Sequence, residues 1–197
     1  MVKSKEIDTF NRLTKVSRET INSLIIYEKM LVKANKSLNL IGNSTIKSIW
    51  SRHFLDSAQV IDFIDKNDKV MIDMGSGAGF PGLVIAILAK DKKIPLKIKL
   101  IDKSPKKIKF LKEIIKKLKL NAEAINENIF NSQIKFNNDV FVARAFKPLS
   151  TILELIHNKA INWKKFFIYL GKTGQKELLQ ASKGWDIENK QRMSVTS

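Results

Sequence analysis

An apolar run, Val70-Met71-Ile72, ends at Asp73 and opens into Met74-Gly75-Ser76-Gly77-Ala78-Gly79-Phe80-Pro81-Gly82. Glycine is needed where φ must be positive or where a ligand lies against bare backbone. Strand, glycine turn and the helical run Leu83 to Ala89 together make a nucleotide-type site at the carboxyl end of a parallel strand. Gly77-x-Gly79-x-x-Gly82 formally matches the dinucleotide pattern, and Asp102 ends the next strand near where a ribose-binding acid belongs. Other residues suited to chemistry are few. Arginine occurs only at Arg12, Arg18, Arg52, Arg144 and Arg192, in a chain whose default cation is lysine, so each is a candidate for its planar fork. There is no cysteine, which excludes disulfides, a thiolate nucleophile and cysteine-based zinc sites, and no metal is expected.

These residues need elements to hold them. The 197 residues fit one compact unit, read as a helical cap over 1–66 and a catalytic domain over 67–197. Ile21, Leu24, Ile25, Glu28, Leu31, Val32 and Asn35 fall at helical spacing, and the first 40 residues read as helix. After a turn at Asn39 to Asn43, a second helix is predicted from Thr45, with Trp50, His53, Phe54 and Ile61 on one face, broken at Asp65 to Asp68. Strands follow at 70–74, 97–102, 122–125, 139–143 and 166–170, with a last one over 187–195. Helices are predicted at 81–90, 105–118, 148–157 and 174–182. Such alternation predicts an α/β fold, a mostly parallel sheet covered on both faces.

Read from Asp73 as Asp-x-Gly-x-Gly-x-Gly, the loop resembles that of class I methyltransferases, which wrap the amino-acid end of S-adenosylmethionine. Two physical points favour this over a dinucleotide. A pyrophosphate wants free N–H donors at the helix N-terminus, and Pro81 removes one there. S-adenosylmethionine carries an ammonium and a sulfonium, which an acid such as Asp73 attracts. The wider pattern is more specific. Asn39-Leu40 precedes a helix holding Arg52-His53-Phe54-Leu55-Asp56-Ser57, then comes the Gly75 to Gly82 loop with its Phe-Pro-Gly, then Ala143-Arg144-Ala145-Phe146. Over residues 20 to 183 this order closely resembles the bacterial small-subunit ribosomal RNA guanine-N7 methyltransferases, once called glucose-inhibited division protein B.

The resemblance implies a class I, Rossmann-like methyltransferase with an N-terminal helical cap, S-adenosylmethionine as cofactor, and a guanine of 16S ribosomal RNA as substrate. It implies cofactor contacts at Gly75, Phe80, Ile129, Phe130 and Arg144, to which the loop adds Asp73, Gly77 and Asp102. Asn39, Arg52 and His53 are the expected substrate side, and Arg144, His53 and Arg52 the candidates for a catalytic part. Three departures stand out: Phe130 where the family usually has an acid, the order Gly171-Lys172, and a chain stopping at Ser197 where one more strand is expected.

The chemistry suits the inventory. Guanine N7 carries an in-plane lone pair and needs no general base, so the protein has to supply position and electrostatics. The net charge of +17 reads either as affinity for a polyanion or as compositional drift toward Lys, Ile and Asn. The lysine runs at 103–107 and 116–119 read as an RNA contact or as a solvated helix face. The N-terminus lacks a signal-peptide core and no apolar run reaches membrane-spanning length, so a cytoplasmic monomer acting on 16S ribosomal RNA or the small subunit is expected. The alternatives are a methyltransferase of this fold with another RNA or a small molecule as substrate, and an RNA-binding relic without catalysis.

Overall fold

The computed structural model describes residues 2–131, 133 and 135–192. Two helices come first, α1 (Val2–Thr14) and α2 (Arg18–Leu38), then an irregular helical segment containing α3 (Asp56–Ala58). The remainder alternates: β1 (Val70–Met74), α4 (Gly82–Asp91), β2 (Lys97–Asp102), α5 (Pro105–Leu118), β3 (Ala122–Asn126), β4 (Phe136–Asn137), β5 (Val140–Arg144), α6 (Leu149–Lys159), β6 (Ala160–Asn162), β7 (Lys165–Tyr169) and α7 (Gly174–Ala181). Five strands form one parallel sheet in the order β3-β2-β1-β5-β7. This is the expected α/β class I methyltransferase sheet, with the chain reversing its direction of travel across the sheet at β1, where a doubly wound fold places its ligand.

The strands sort side chains by parity. Met71, Ile98, Leu100, Val140 and Val142 join α2, α4 and α5 in one apolar cluster. Ile72, Met74, Ile101, Phe141 and Ala143 face the other way, against α6. The first cluster also takes in Phe10, Leu24, Tyr27, Trp50 and Phe54, so the N-terminal helices share a core with the sheet. α5 covers β2 and β3 with Ile108, Leu111 and Ile114, leaving Lys106, Lys109, Lys112, Lys116 and Lys117 exposed.

Several expectations need correcting. The first helical stretch is split at Lys15, whose φ of 51° is left-handed. Ser17 then caps α2 by accepting the Thr20 N–H, while Asp91 at the end of α4 accepts from the Ser17 and Thr20 hydroxyls. The single helix expected from Thr45 is a series of short turns: 3-10 over Asn43–Ser48, π over Trp50–Leu55, α3, and 3-10 over Gln59–Phe63. Within the π-turn, Arg52 O accepts from Arg144 at 2.9 Å. Asp139 lies outside its predicted strand, with its carboxylate accepting the Lys69 and Val70 N–H groups. The short parallel pair β4–β6 was not foreseen, because two or three residues carry no readable period. Residues 187–192 form no strand, and 193–195 of that predicted strand lie outside the described residues.

Candidate functional site

The site is built at the carboxyl ends of β1, β2 and β5. The glycine loop leaves β1 with φ of 71° at Gly75, 55° at Gly77 and 101° at Gly79, values that a side chain would strain. It is held from below. The Gly75 and Ser76 N–H groups both donate to Ile101 O at 3.0 Å. The Gly77 N–H donates to Asp102 Oδ2 at 3.0 Å, and the Ser104 N–H to Asp102 Oδ1 at 2.8 Å. It is also held from the side: the Tyr27 hydroxyl, on fully buried α2 surface, donates to Ala78 O at 2.7 Å.

Asp73 lies beneath this loop, not on its open face. It is fully buried, and Oδ2 accepts the Gly82 N–H at 2.9 Å. A Cβ on Gly82 would stand 2.5 Å from that oxygen, so glycine is required there by close approach. Asp73 Oδ1 has no hydrogen-bond partner. Burial pushes the carboxyl up to about 7, outweighing the Gly82 N–H that favours the charged form. Its direct work is to hold the turn. Phe80 is also turned inward, 7% exposed. Its ring stacks on His53 with centroids 4.8 Å apart and packs against Tyr27 and Phe54.

Arg144, at the end of β5, reaches across to the helical cap. Nη2 donates to Arg52 O and His53 Nδ1, both at 2.9 Å. Nη1 donates to Ser57 Oγ at 3.3 Å and lies 3.4 Å from Asp56 Oδ2. The guanidinium also sits over Phe80 and Tyr169, 5.7 and 5.9 Å from the ring centroids. Tyr169 closes the ring of contacts by donating to Ser57 O at 2.9 Å, and burial raises its hydroxyl pKa. Three hydrogen bonds and one ion pair from the two terminal nitrogens are thus directed at the cap.

His53 is fixed by this geometry. Arginine only donates, so Nδ1 is the acceptor and Nε2 carries the proton, which it donates to Thr45 Oγ1 at 2.9 Å. Burial, then the Arg144 and Arg52 charges, lower its pKa to about 4. A neutral imidazole with both nitrogens engaged is a poor general base at neutral pH.

The structure therefore brings Gly75, Gly77, Phe80, Asp102, Arg52, His53 and Arg144 to one end of the sheet. Ile129 is buried there, and Phe130 stacks on Phe146 with centroids 5.7 Å apart. Asn39 is not part of this cluster of contacts. It is exposed, ends α2 at φ 46°, and donates its backbone N–H to Asn35 O. Buried Asn35 holds that turn through both Ile41 and Asn43. Thr45, Tyr27, Tyr169 and Phe146 were not named as site residues from the sequence, although Tyr27 falls on the apolar face of α2 and Phe146 ends the Ala143-Arg144-Ala145-Phe146 block. A separate cleft of about 400 Å³, lined by Val70, Asn138, Asp139 and Trp163 among others, opens at the amino ends of the strands, away from the glycine loop.

A family model described as rRNA small subunit methyltransferase G matches residues 20–197. The chain is 39% identical over 184 residues to the ribosomal RNA small subunit methyltransferase G of Pelagibacter ubique, covering 92% of this chain and 86% of that protein. It is 34% identical over 184 residues to the protein of the same name from Rickettsia felis, covering 93% and 92%. Among solved structures, it is similar to a SAM-dependent O-methyltransferase from Thermotoga maritima at 16% identity and TM-score 0.49, over 65% of this chain and 48% of that one.

Proposed function

The chain belongs to the rRNA small subunit methyltransferase G family, and on that premise we propose that it transfers the methyl group of S-adenosylmethionine to N7 of a guanine in 16S ribosomal RNA. The observation that carries the cofactor side is the Asp73–Gly82 hydrogen bond. Pro81 has no N–H, and the Gly82 N–H is taken by a carboxylate, so the start of α4 offers little to a pyrophosphate. A phosphate-free nucleoside suits it better.

The residues fit S-adenosylmethionine. A Cβ on Gly77 would meet nothing closer than Gly75 O at 3.8 Å, so the backbone at Gly77 is open to a ligand. Gly75 and Gly77 would hold the amino-acid end, and Asp102, which keeps lone pairs beyond its two backbone bonds, the ribose hydroxyls. Ile129 and Phe130 would flank the adenine. When bound, the cofactor supplies an electrophilic methyl on a sulfonium. The chain's own residues align and enclose. Tyr27 and Asp73 fix the glycine loop from two sides, and Arg144 locks the cap residues Arg52 to Ser57 over the end of β5. N7 attacks with a lone pair already free, so a neutral, fully bonded His53 is no obstacle.

Arg52, exposed on the cap beside this lock, is the candidate to meet the RNA, with the lysines of α5 adding salt-dependent attraction. We assign residues 1–66 as the cap and 67–197 as the methyltransferase unit, working as a cytoplasmic monomer. No helix among the described residues is long and apolar enough to cross a membrane. The test is transfer of labelled methyl to ribosomal RNA from a strain lacking this activity, with the product mapped. Label at guanine N7 of the 16S chain supports the proposal, and label on cytosine, ribose or adenine rejects it. Cofactor binding without transfer to any RNA would point to a non-catalytic relic.

A further inference from the structure

Phe146 stands in the space beside Gly75. A Cβ built on Gly75 would lie 2.1 Å from Phe146 Cδ2 and 2.7 Å from Cε2, so the ring rests directly on that bare backbone. The half-buried ring is held there by its stack on Phe130, at an interplanar angle of 24°. Lys147 Nζ lies 5.9 Å from the Phe130 centroid. The chain is turned to this position by its neighbours. Arg144 is anchored to the cap, and Ala145 follows it with φ at 48°, a left-handed conformation that costs a non-glycine residue energy. Ala145, Lys147 and Pro148 are exposed, so the ring belongs to a surface loop with solvent beside it.

A benzene ring and a ligand cannot share the face of Gly75. We propose that Phe146 is a further cofactor-site residue, whose ring competes with S-adenosylmethionine for the face of Gly75 and swings out when the cofactor enters. This rests on the cofactor reading given above. It also gives a reason for Phe130: an aromatic there provides the ring with a stacking partner. Apparent affinity falls in proportion to the fraction of molecules whose cradle is open. An aromatic stack of ordinary strength sets that penalty at roughly three- to tenfold.

The test is a calorimetric titration of the full chain with S-adenosylmethionine, comparing wild type with Phe146→Ala and Phe146→Trp. The alanine variant should bind about three- to tenfold more tightly. In the tryptophan variant, emission measured against the wild-type background should shift to the red as cofactor is added, because the indole leaves the cradle for solvent. Unchanged or weaker binding by an alanine variant with a cooperative thermal transition overturns the proposal. So does an indole emission that stays fixed at saturation, which applies even where the alanine variant fails to fold. A wild-type chain that does not bind S-adenosylmethionine would instead sink the cofactor reading itself.

Discussion

Arg144 Nη2 donates to His53 Nδ1 at 2.9 Å, joining two residues 91 positions apart in the chain. One end of the bond is the last residue of a central strand, and the other is in the π-turn of the cap. The same guanidinium nitrogen also holds Arg52 O, so the cap's backbone and its imidazole are set by a single group. This makes Arg144 a positioning residue first, because a bidentate grip on a ligand carboxylate would require it to release the cap.

Arg144→Lys should therefore be far from conservative. Lysine keeps the charge but cannot reach Arg52 O, His53 and Ser57 from one planar fork. Loss of these partly buried, charge-assisted bonds should lower stability by about 1–3 kcal/mol. The value of kcat/KM on ribosomal RNA should fall at least ~10-fold through the loosened cap. Urea unfolding and steady-state methyl transfer check the two effects separately.

His53 makes stability sensitive to acid. Its pKa is about 4 in the folded chain against 6.5 for a free histidine. Between those values the unfolded chain takes up a proton that the folded chain refuses, so this contribution is complete above 6.5 and is lost as pH falls through 4. His53→Phe keeps a ring for Phe80 to stack on and removes the titration. Unfolding free energies across pH 4–7 should fall less steeply in the variant, and an unchanged slope would contradict the assignment.

Asp73 acts in the opposite sense. Its carboxyl sits at about 7 when folded against 3.8 when free. The unfolded chain loses its proton first, so this contribution is present below 3.8 and disappears as pH rises through 7. By linkage the loss is on the order of 4 kcal/mol. Asp73→Asn should abolish this decline between pH 4 and 7, read as the difference between wild-type and variant stability curves from pH 4 to 8.

The first two glycines of the loop should respond differently to alanine. Gly77→Ala meets open space and carries only its left-handed backbone, a cost of roughly 1–2 kcal/mol. Gly75→Ala bears the same strain and also drives a methyl into the Phe146 ring. It should be the less stable of the two by thermal melting. Gly75→Asp adds a carboxylate close to Asp73 and should abolish cofactor binding in a titration that the wild type passes.

Tyr27→Phe removes one hydrogen bond, the one to Ala78 O, and leaves the packing on Phe54 and Phe80. The expected cost is about 1 kcal/mol of stability. A several-fold weaker cofactor affinity should accompany it, with the maximal rate of transfer little changed. A drop in that rate at saturating cofactor would mean that Tyr27 does more than hold the loop.

The identity of the site was written in the chain at the level of local pattern. Val70 to Met74 is apolar up to a carboxylate, and the positive φ values of Gly75, Gly77 and Gly79 follow from residues that tolerate them. The β-branched and aliphatic runs separated by helical periods gave the parallel sheet, and the five strands of that sheet lie where the alternation puts them. Each of these features repeats over two to four residues, so a short window suffices to read it.

The roles of the side chains were decided elsewhere. Asp73 was legible as an acid at the loop, but not as one facing inward to Gly82, which depends on the strand's parity against α4. The π-turn at Trp50 to Leu55 breaks a period that the sequence displays clearly, and a partner on β5 holds one of its carbonyls. Phe130 stands where the family usually has an acid, and only the fold shows Phe146 stacked upon it. Local repeats and chain order determined that Gly75, Gly77, Asp102 and Arg144 gather at the carboxyl ends of the strands, since each ends or follows a strand that a short window shows. Only the tertiary structure decided which of them face a ligand and which hold one another, since that depends on contacts closed over tens of residues by packing.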